Sequence, residues 1–469
     1  MLARSLGPWT LTAMGIGTII GTGIFVLTGV ASATRAGPSL VLSFVVAGIV
    51  SALAALCYAE VASKIPICGS AYTYAYATLG ELPAWIVGWG LVLEYALGSA
   101  LVSVGWSGYF TYIVHSLGLG DVPQAWHNNP WDPAPGIANV PAAAIVLVMT
   151  ALLIKGTRES GTVNAIIVAV KVSIVLFFIA LGAGHVDAAN YHLPAGPATG
   201  AGGFFPFGVT GMLGGAAFIF FAYLGFDAVS TAAEETRDPA KDLPFGIIAS
   251  LLVCTGLYIA VVAILNGMVP FDQLNVAYPI AYALSRVGLG WAGAIVSFGA
   301  LAGLTTVILV GMYGQSRIFF AMARDGLIPD VFMRVHPVWR TPWVAQLIFG
   351  TLIAVAGALF PIGILGSLTN MATLVAFCLV SLAVPLLRRR HPELAGKFQV
   401  PFGPLAIPAL SIVSSLSFIY YLKIGNPLVW GFFPLVWLSF LIWLALGLIV
   451  YFAYGRRNSR IALEELGKS

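Results

Sequence analysis

Twelve stretches of this chain are apolar over roughly the length that a helix needs to cross a bilayer. They lie at about 9–32, 39–63, 82–113, 139–155, 159–183, 209–232, 244–266, 290–321, 342–360, 363–387, 403–422 and 428–454. Charge is correspondingly scarce: 9% of the 469 residues are charged and 59% are hydrophobic, with a mean hydropathy of +0.95. Those values cannot cover a soluble domain of this size with polar surface. The expected fold class is an all-α membrane protein of about 12 transmembrane helices.

An even number of spans puts both chain ends on one side, and the basic residues identify that side. Segments facing it hold Arg4, Lys64, Lys155, Arg158, Arg237, Lys241, Arg317, Arg324, Arg334, Arg340, Arg388, Arg389, Arg390, Lys397, Arg456, Arg457, Arg460 and Lys468. The opposite segments hold only Arg35, Arg286 and Lys423, and Lys171 falls inside a span. The positive-inside rule therefore places both termini in the cytoplasm, with the chain multi-pass in a cell (inner or plasma) membrane. The same skew accounts for the net charge of +4 and the pI near 8.8 without nucleic acid. Arg4 leads straight into the first span, with no cleavable leader pattern. Cys57, Cys68, Cys254 and Cys378 lack metal-ligand spacing and are expected to be small buried residues, so neither metal nor cofactor is expected.

Two spans carry glycine where a spanning helix tolerates it least. The first reads GIGTIIGTGIF over Gly15–Phe25, with Gly15, Gly17, Gly21 and Gly23 at its middle. Each glycine weakens a helix interior by about 1 kcal/mol against alanine, so a local opening is cheap. Backbone groups released in lipid need partners, which a bound polar ligand can supply. Gly17-xxx-Gly21 is also a close-packing pattern, and both readings stand at this point. The sixth span repeats the feature in FFAYLGFDAVSTAAEETRDPAKDLPFG, residues 220–246, with Gly225 and Asp227 at mid-depth. Two such helices five spans apart suggest two inverted halves, residues 1–183 and 184–387, followed by two further helices in 388–469. Paired broken helices of this kind place a ligand at the midplane in transporters. The two halves show no residue-level self-similarity, so the division rests on spacing.

Ionisable residues inside the spans are few. Glu94 in span three has apolar neighbours on both sides, so it is expected to be protonated, paired or facing a polar interior. Lys171 lies near the centre of span five, too deep to snorkel. Its plain structural reading is an ion pair with Glu94 or Asp227, although stability alone is better served by apolar packing. Glu60 and Lys64, four apart near a membrane edge, read as a local ion pair. Thr305 and Thr306 sit mid-span in the eighth helix with Met312 two turns on; threonines so placed most often bond their own helix. Arg388–Arg390 reads as a topology anchor.

With these features in hand, the sequence resembles the amino acid-polyamine-organocation superfamily, and most closely its bacterial members similar to cationic amino acid transporters. The matching pieces are IGTIIGTGIFVLTG from Ile16, YAEVASKIPICGSAYTYAY from Tyr58, FAYLGFDAVSTAAEETRDPAKDLPFGI from Phe221 and MYGQSRIFFAMARDGLIP from Met312. The resemblance implies a LeuT-like fold with a 5+5 inverted repeat and broken helices 1 and 6. It further implies that a substrate carboxylate meets the amides of Gly21, Thr22 and Gly23, which suits the positive end of a helix beginning there. The ammonium would meet the carbonyls of Ile19, Phe221, Ala222 and Leu224, and Ile20, Phe221 and Met312 would wall the side-chain pocket. In sodium-coupled relatives an ion sits between helices 1 and 8. Here the Lys171 ammonium would take that place, beside the Gly17 carbonyl and the hydroxyls of Thr305 or Thr306.

The expected function is secondary active transport of an amino acid by alternating access, coupled to protons through Lys171, with Asp227 and Glu94 as rival or auxiliary carriers. Burial disfavours an amine's charged form, so loss of its proton in one state is accessible. Bulky Met312 and Phe221 favour small or neutral side chains such as alanine; the alternatives are an exchanger and a cationic (Arg/Lys) transporter. The expected partners are an amino acid, protons and the lipid bilayer, with an accessory subunit open and nucleic acid excluded. An enzyme would need a catalytic pattern such as HExxH, which is absent, and a channel would need ringed rather than single ionisable residues.

Overall fold

The computed structural model describes residues 6–65, 70–132, 134–156, 161–197, 199–227, 229, 232, 235–390, 392, 398–429, 431 and 433–459. Arg4, Cys68, Arg158, Lys397, Arg460 and Lys468, used above, lie outside them. Each apolar run holds a helix, and prolines pre-set to helical φ open several of them. The chain begins with α1 (Pro8–Ile19) and breaks at Ile20. It resumes as a π turn (Gly23–Leu27), α2 (Thr28–Ala31) and a second π turn (Ser32–Ala36). Gly37, at φ 61°, then reverses the backbone ahead of Pro38, where a Cβ would be strained.

There follow α3 (Leu40–Lys64), α4 (Ser70–Leu79), α5 (Glu81–Ser116), α6 (Gln124–His127), α7 (Val140–Lys155) and α8 (Gly161–Gly182). The next group is α9 (Gly208–Ile219) with a 3-10 turn (Phe220–Tyr223), α10 (Pro239–Met268), α11 (Pro279–Arg286) and α12 (Gly290–Arg324). The last is α13 (Trp343–Leu359), α14 (Ile362–Arg390), α15 (Gly403–Tyr421), α16 (Leu435–Val450) and α17 (Arg456–Asn458). Among the described residues eight helical stretches are long and apolar enough to cross a membrane, and 140–155, 208–223 and 343–359 are shorter apolar helices. The protein is therefore an all-α multi-pass membrane protein. The twelfth apolar run is shorter as a helix than its hydropathy implies. Leu428–Val429 pairs antiparallel with Phe433–Pro434, and α16 starts only at Leu435.

Two helices remote in sequence are joined by indole rings. Trp89 donates to the Trp443 carbonyl (2.8 Å) and Trp443 to the Trp89 carbonyl (3.0 Å), with the rings stacked 4.6 Å apart. Trp85 donates to the Gly447 carbonyl as well, so α16 is fixed along α5. At the α1 end of the bundle, Leu6 N donates to Glu235 O (3.0 Å) and Arg237 N to Leu6 O (2.9 Å). Chain segments flanking the first and sixth spans are thus joined by their backbones.

The Glu60–Lys64 pair proves larger than a local edge contact. Glu60 is fully buried and accepts from Lys64 Nζ (2.7 Å), from Arg388 Nε and Nη2 (2.7 and 2.6 Å) and from Val400 N (2.7 Å). Both carboxylate oxygens are satisfied by a forked guanidinium. Arg390 also donates to the Thr78 carbonyl (3.0 Å), so the arginine triplet does more than anchor topology: it ties α14 to α3 and α4. Arg35, counted by sequence among connection charges, is instead buried against the Phe218 ring, 4.1 Å from its centroid. Cys57 and Cys254 are buried and Cys378 is half-buried, and all three carry free thiols.

Candidate functional site between two interrupted helices

Both glycine-bearing spans open at mid-length. In the first, Ile20 N still bonds Ile16 O, but Ile20 itself is extended (φ −71°, ψ 105°) and the ladder restarts with Phe25 N to Gly21 O at 3.3 Å. The amides of Thr22, Gly23 and Ile24 precede that restart and have no carbonyl one turn below. Tyr109 Oη donates to Phe25 O (2.6 Å), serving a carbonyl in the π turn. In the sixth span, α9 tightens into its 3-10 turn, Leu224 is extended (ψ 144°) and Gly225 adopts φ 114°.

The two openings face each other at backbone distance. A Cβ built on Gly23 would lie 2.3 Å from Ala222 Cα, and one on Gly225 would lie 2.8 Å from the Thr18 carbonyl carbon. Thr18 Oγ1 reaches the Gly225 carbonyl at 2.9 Å. Tyr258 on α10 completes the junction: its hydroxyl lies 2.8 Å from Ile19 O and 2.9 Å from Ala222 O, one proton shared between a carbonyl of each interrupted helix. Sequence reasoning missed Tyr258, because a tyrosine in an apolar helix carries no mark of a partner 239 residues away.

Gly21, Thr22 and Gly23 are buried, and Thr22 Oγ1 has no hydrogen-bond partner among the described residues. A buried hydroxyl left unsatisfied costs about 1–3 kcal/mol, and this one lies at the opening. Ile20 is fully buried, Phe221 is half-buried with its ring edge 3.5 Å from where a Gly98 Cβ would be, and Met312 is buried on α12.

Lys171 on α8 is 3% exposed, and its Nζ donates to Gly17 O at 3.0 Å. Its stem lies against Gly303 of α12, where a Cβ would come within 3.0 Å of Lys171 Cε. Among the described residues it forms no ion pair, so the pairing with Glu94 or Asp227 is absent. The threonines are engaged elsewhere. Thr305 Oγ1 donates to Leu301 O (2.7 Å) and accepts from Trp106 Nε1 (2.9 Å), while Thr306 Oγ1 donates to Gly303 O (2.7 Å). Each hydroxyl donates to its own helix, and the hydrogen bond that Lys171 makes among the described residues goes to Gly17 O and not to Thr305 or Thr306.

The site as built offers orphan amides, a buried hydroxyl and polarised carbonyls, with a lone ammonium behind them. Among the described residues it contains no nucleophile–base pair. Residues 6–454 match a family model described as amino acid permease. The chain is 46% identical over 458 residues to the methylthioribose transporter of Bacillus subtilis (strain 168), covering 98% of this chain and 95% of that one. It is 47% identical over 468 residues to the branched-chain amino acid permease BcaP of the same organism, with the same coverage. The vacuolar cationic amino acid transporter 4 of Arabidopsis thaliana is 39% identical over 396 residues, 84% of this chain and 64% of that protein.

Proposed function

This chain belongs to the amino acid permease family, and from that premise we propose that it moves a neutral amino acid across the cell membrane by alternating access, in symport with a proton. Transport and the absence of an enzymatic role follow from the family. The proposed architecture is twelve crossings in a LeuT-like arrangement, inverted halves 1–183 and 184–387 followed by 388–469, and both termini in the cytoplasm.

The observation that carries the binding mode is the unsatisfied Thr22 hydroxyl at an opening that lies between the last backbone bond of α1, at Ile20, and the first of the restarted ladder, at Phe25. The substrate carboxylate sits on the amides of Gly21–Gly23 and the Thr22 hydroxyl, at the positive end of a restarting helix. The ammonium takes the carbonyls of Ile19, Phe221, Ala222 and Leu224, two of which Tyr258 holds in position. Ile20, Phe221 and Met312 leave an apolar wall that fits side chains from alanine to the branched-chain residues carried by a close relative, and supplies no acid for arginine or lysine. Lys171 is the proposed proton carrier, releasing Gly17 O when it changes state, with Glu94 and Asp227 as auxiliaries.

One observation favours exchange as a second reading. The only hydrogen bond of Lys171 among the described residues is to a peptide carbonyl, as suits a fixed cation. Proteoliposome uptake at two pH values, with each common amino acid and methylthioribose as competitors, separates these possibilities. Gradient-driven accumulation blocked by neutral amino acids is expected. Competition by methylthioribose alone overturns the substrate assignment, and uptake driven only by internal substrate overturns the coupling.

A further inference from the structure

We propose that the cavity at the α15–α16 connection binds the phosphate of an anionic phospholipid, with the face of α15 beside it receiving an acyl chain. The cavity has a volume of about 690 Å³ and its lining includes Tyr420, Lys423, Ile424, Gly425 and Trp437, with no acidic residue. Lys423 Nζ lies 3.6 Å from the Tyr420 ring centroid at this wall. Behind the wall is a second cation. Arg35 is 2% exposed, donates to the Ile424 carbonyl and forms no ion pair among the described residues. Gly425, which lines the cavity, lies directly against Arg35: a Cβ there would lie 3.1 Å from its Nε. A buried guanidinium without a counter-ion is costly, and an anion over Gly425 relieves it.

The position of these charges is itself unusual. Sequence places three basic residues on the face away from the chain ends; one of them, Lys423, lines this cavity and a second, Arg35, lies behind its wall against Gly425. The general pull of anionic lipid on the opposite, arginine-rich face does not account for that.

Shape then selects a lipid over a free anion. Tyr420 is shared with a shallow, open groove of about 430 Å³ that continues down α15 past Ser417, Leu416 and Val413. Positions 413, 416 and 420 recur at helical spacing, so they form one stripe, and Leu416 and Val413 are 53% and 62% exposed. A cationic cavity framed by Tyr420 and Trp437 is what a headgroup meets at the membrane interface, and the stripe below it is what a chain meets. The proposal rests on α15 crossing the membrane and is independent of what the protein carries.

The test uses the purified full chain, delipidated in detergent and titrated with phosphatidylglycerol, phosphatidylcholine or soluble glycerol phosphate, with bound lipid counted by native mass spectrometry. Phosphatidylglycerol is expected to be retained over phosphatidylcholine, and Lys423→Glu to lower its retention roughly tenfold. Leu416→Trp, which fills the groove without touching charge, is expected to lower it as well, and Lys423→Gln to fall between Lys423→Glu and the wild type. Equal retention of the two lipids, or retention indifferent to Lys423→Glu, overturns the proposal. Glycerol phosphate binding as tightly as the lipid assigns the cavity to a free anion instead, and a disulfide-linked dimer of Leu416→Cys assigns the face to a second copy.

Discussion

The ammonium of Lys171 and the carbonyl oxygen of Gly17 stand 3.0 Å apart across the α8–α1 boundary, and among the described residues no acid pairs with that ammonium. Removing the ammonium leaves a buried carbonyl unpaired, which costs about 1–3 kcal/mol and leaves the fold intact. Lys171→Ala is therefore expected to reach the membrane and bind substrate, yet lose accumulation driven by a proton gradient in proteoliposomes. Accumulation equal to the wild type would remove Lys171 from the coupling.

Tyr258 holds one carbonyl from each interrupted helix with a single hydroxyl. Tyr258→Phe keeps the ring packing and deletes only that hydrogen. A loss of about 1–3 kcal/mol is expected, together with a several-fold rise in the KM for uptake, because two proposed ammonium ligands lose their common support. Thermal unfolding and initial uptake rates read the two effects separately.

Gly23 and Ala222 meet through their backbones, so a methyl group has nowhere to go. Gly23→Ala is expected to destabilise by about 1–3 kcal/mol and to abolish uptake. Gly184→Ala, at a position with nothing within 4 Å, serves as the control and should leave both stability and transport unchanged.

The Glu60 cluster calls for a double-mutant cycle. Glu60→Ala strands Lys64 and Arg388 against a buried site, an effect of about 3–5 kcal/mol, and Arg388→Ala strands the carboxylate. The double variant is expected to be less destabilised than the sum of the singles, as for any directly paired groups. Strict additivity in thermal unfolding would show that the two side chains do not act together.

Met312 is buried on α12. Met312→Ser shortens the side chain and is expected to admit bulkier amino acids in competition assays while uptake of alanine persists. An unaltered substrate profile would exclude Met312 from the pocket.

What could be read from the sequence is what depends on local composition. Apolar runs mark helices because lipid imposes one solution on the backbone. Glycines at 23 and 225 mark the openings because a Cβ at either would run into backbone of the facing helix, and Lys171 is conspicuous because charge at depth is rare. Thr305 and Thr306 followed the ordinary rule for threonines in helices, bonding their own backbone. Contacts set by tertiary placement left no local trace. Arg388 reaches Glu60 across 328 positions, and nothing in the arginine triplet distinguishes the one that does so. Arg35 reads as a connection charge until the ring of Phe218 is found covering it.

The paired peptide bonds between Leu6 and residues 235 and 237 have a mechanical corollary. A seam sewn from main-chain atoms is indifferent to which side chains decorate it, so drift at these positions cannot unpick it; only a proline, lacking the N–H, would. A swing of the segment before α1 is therefore expected to haul residues 235–237 along, as a single door leaf rather than two shutters.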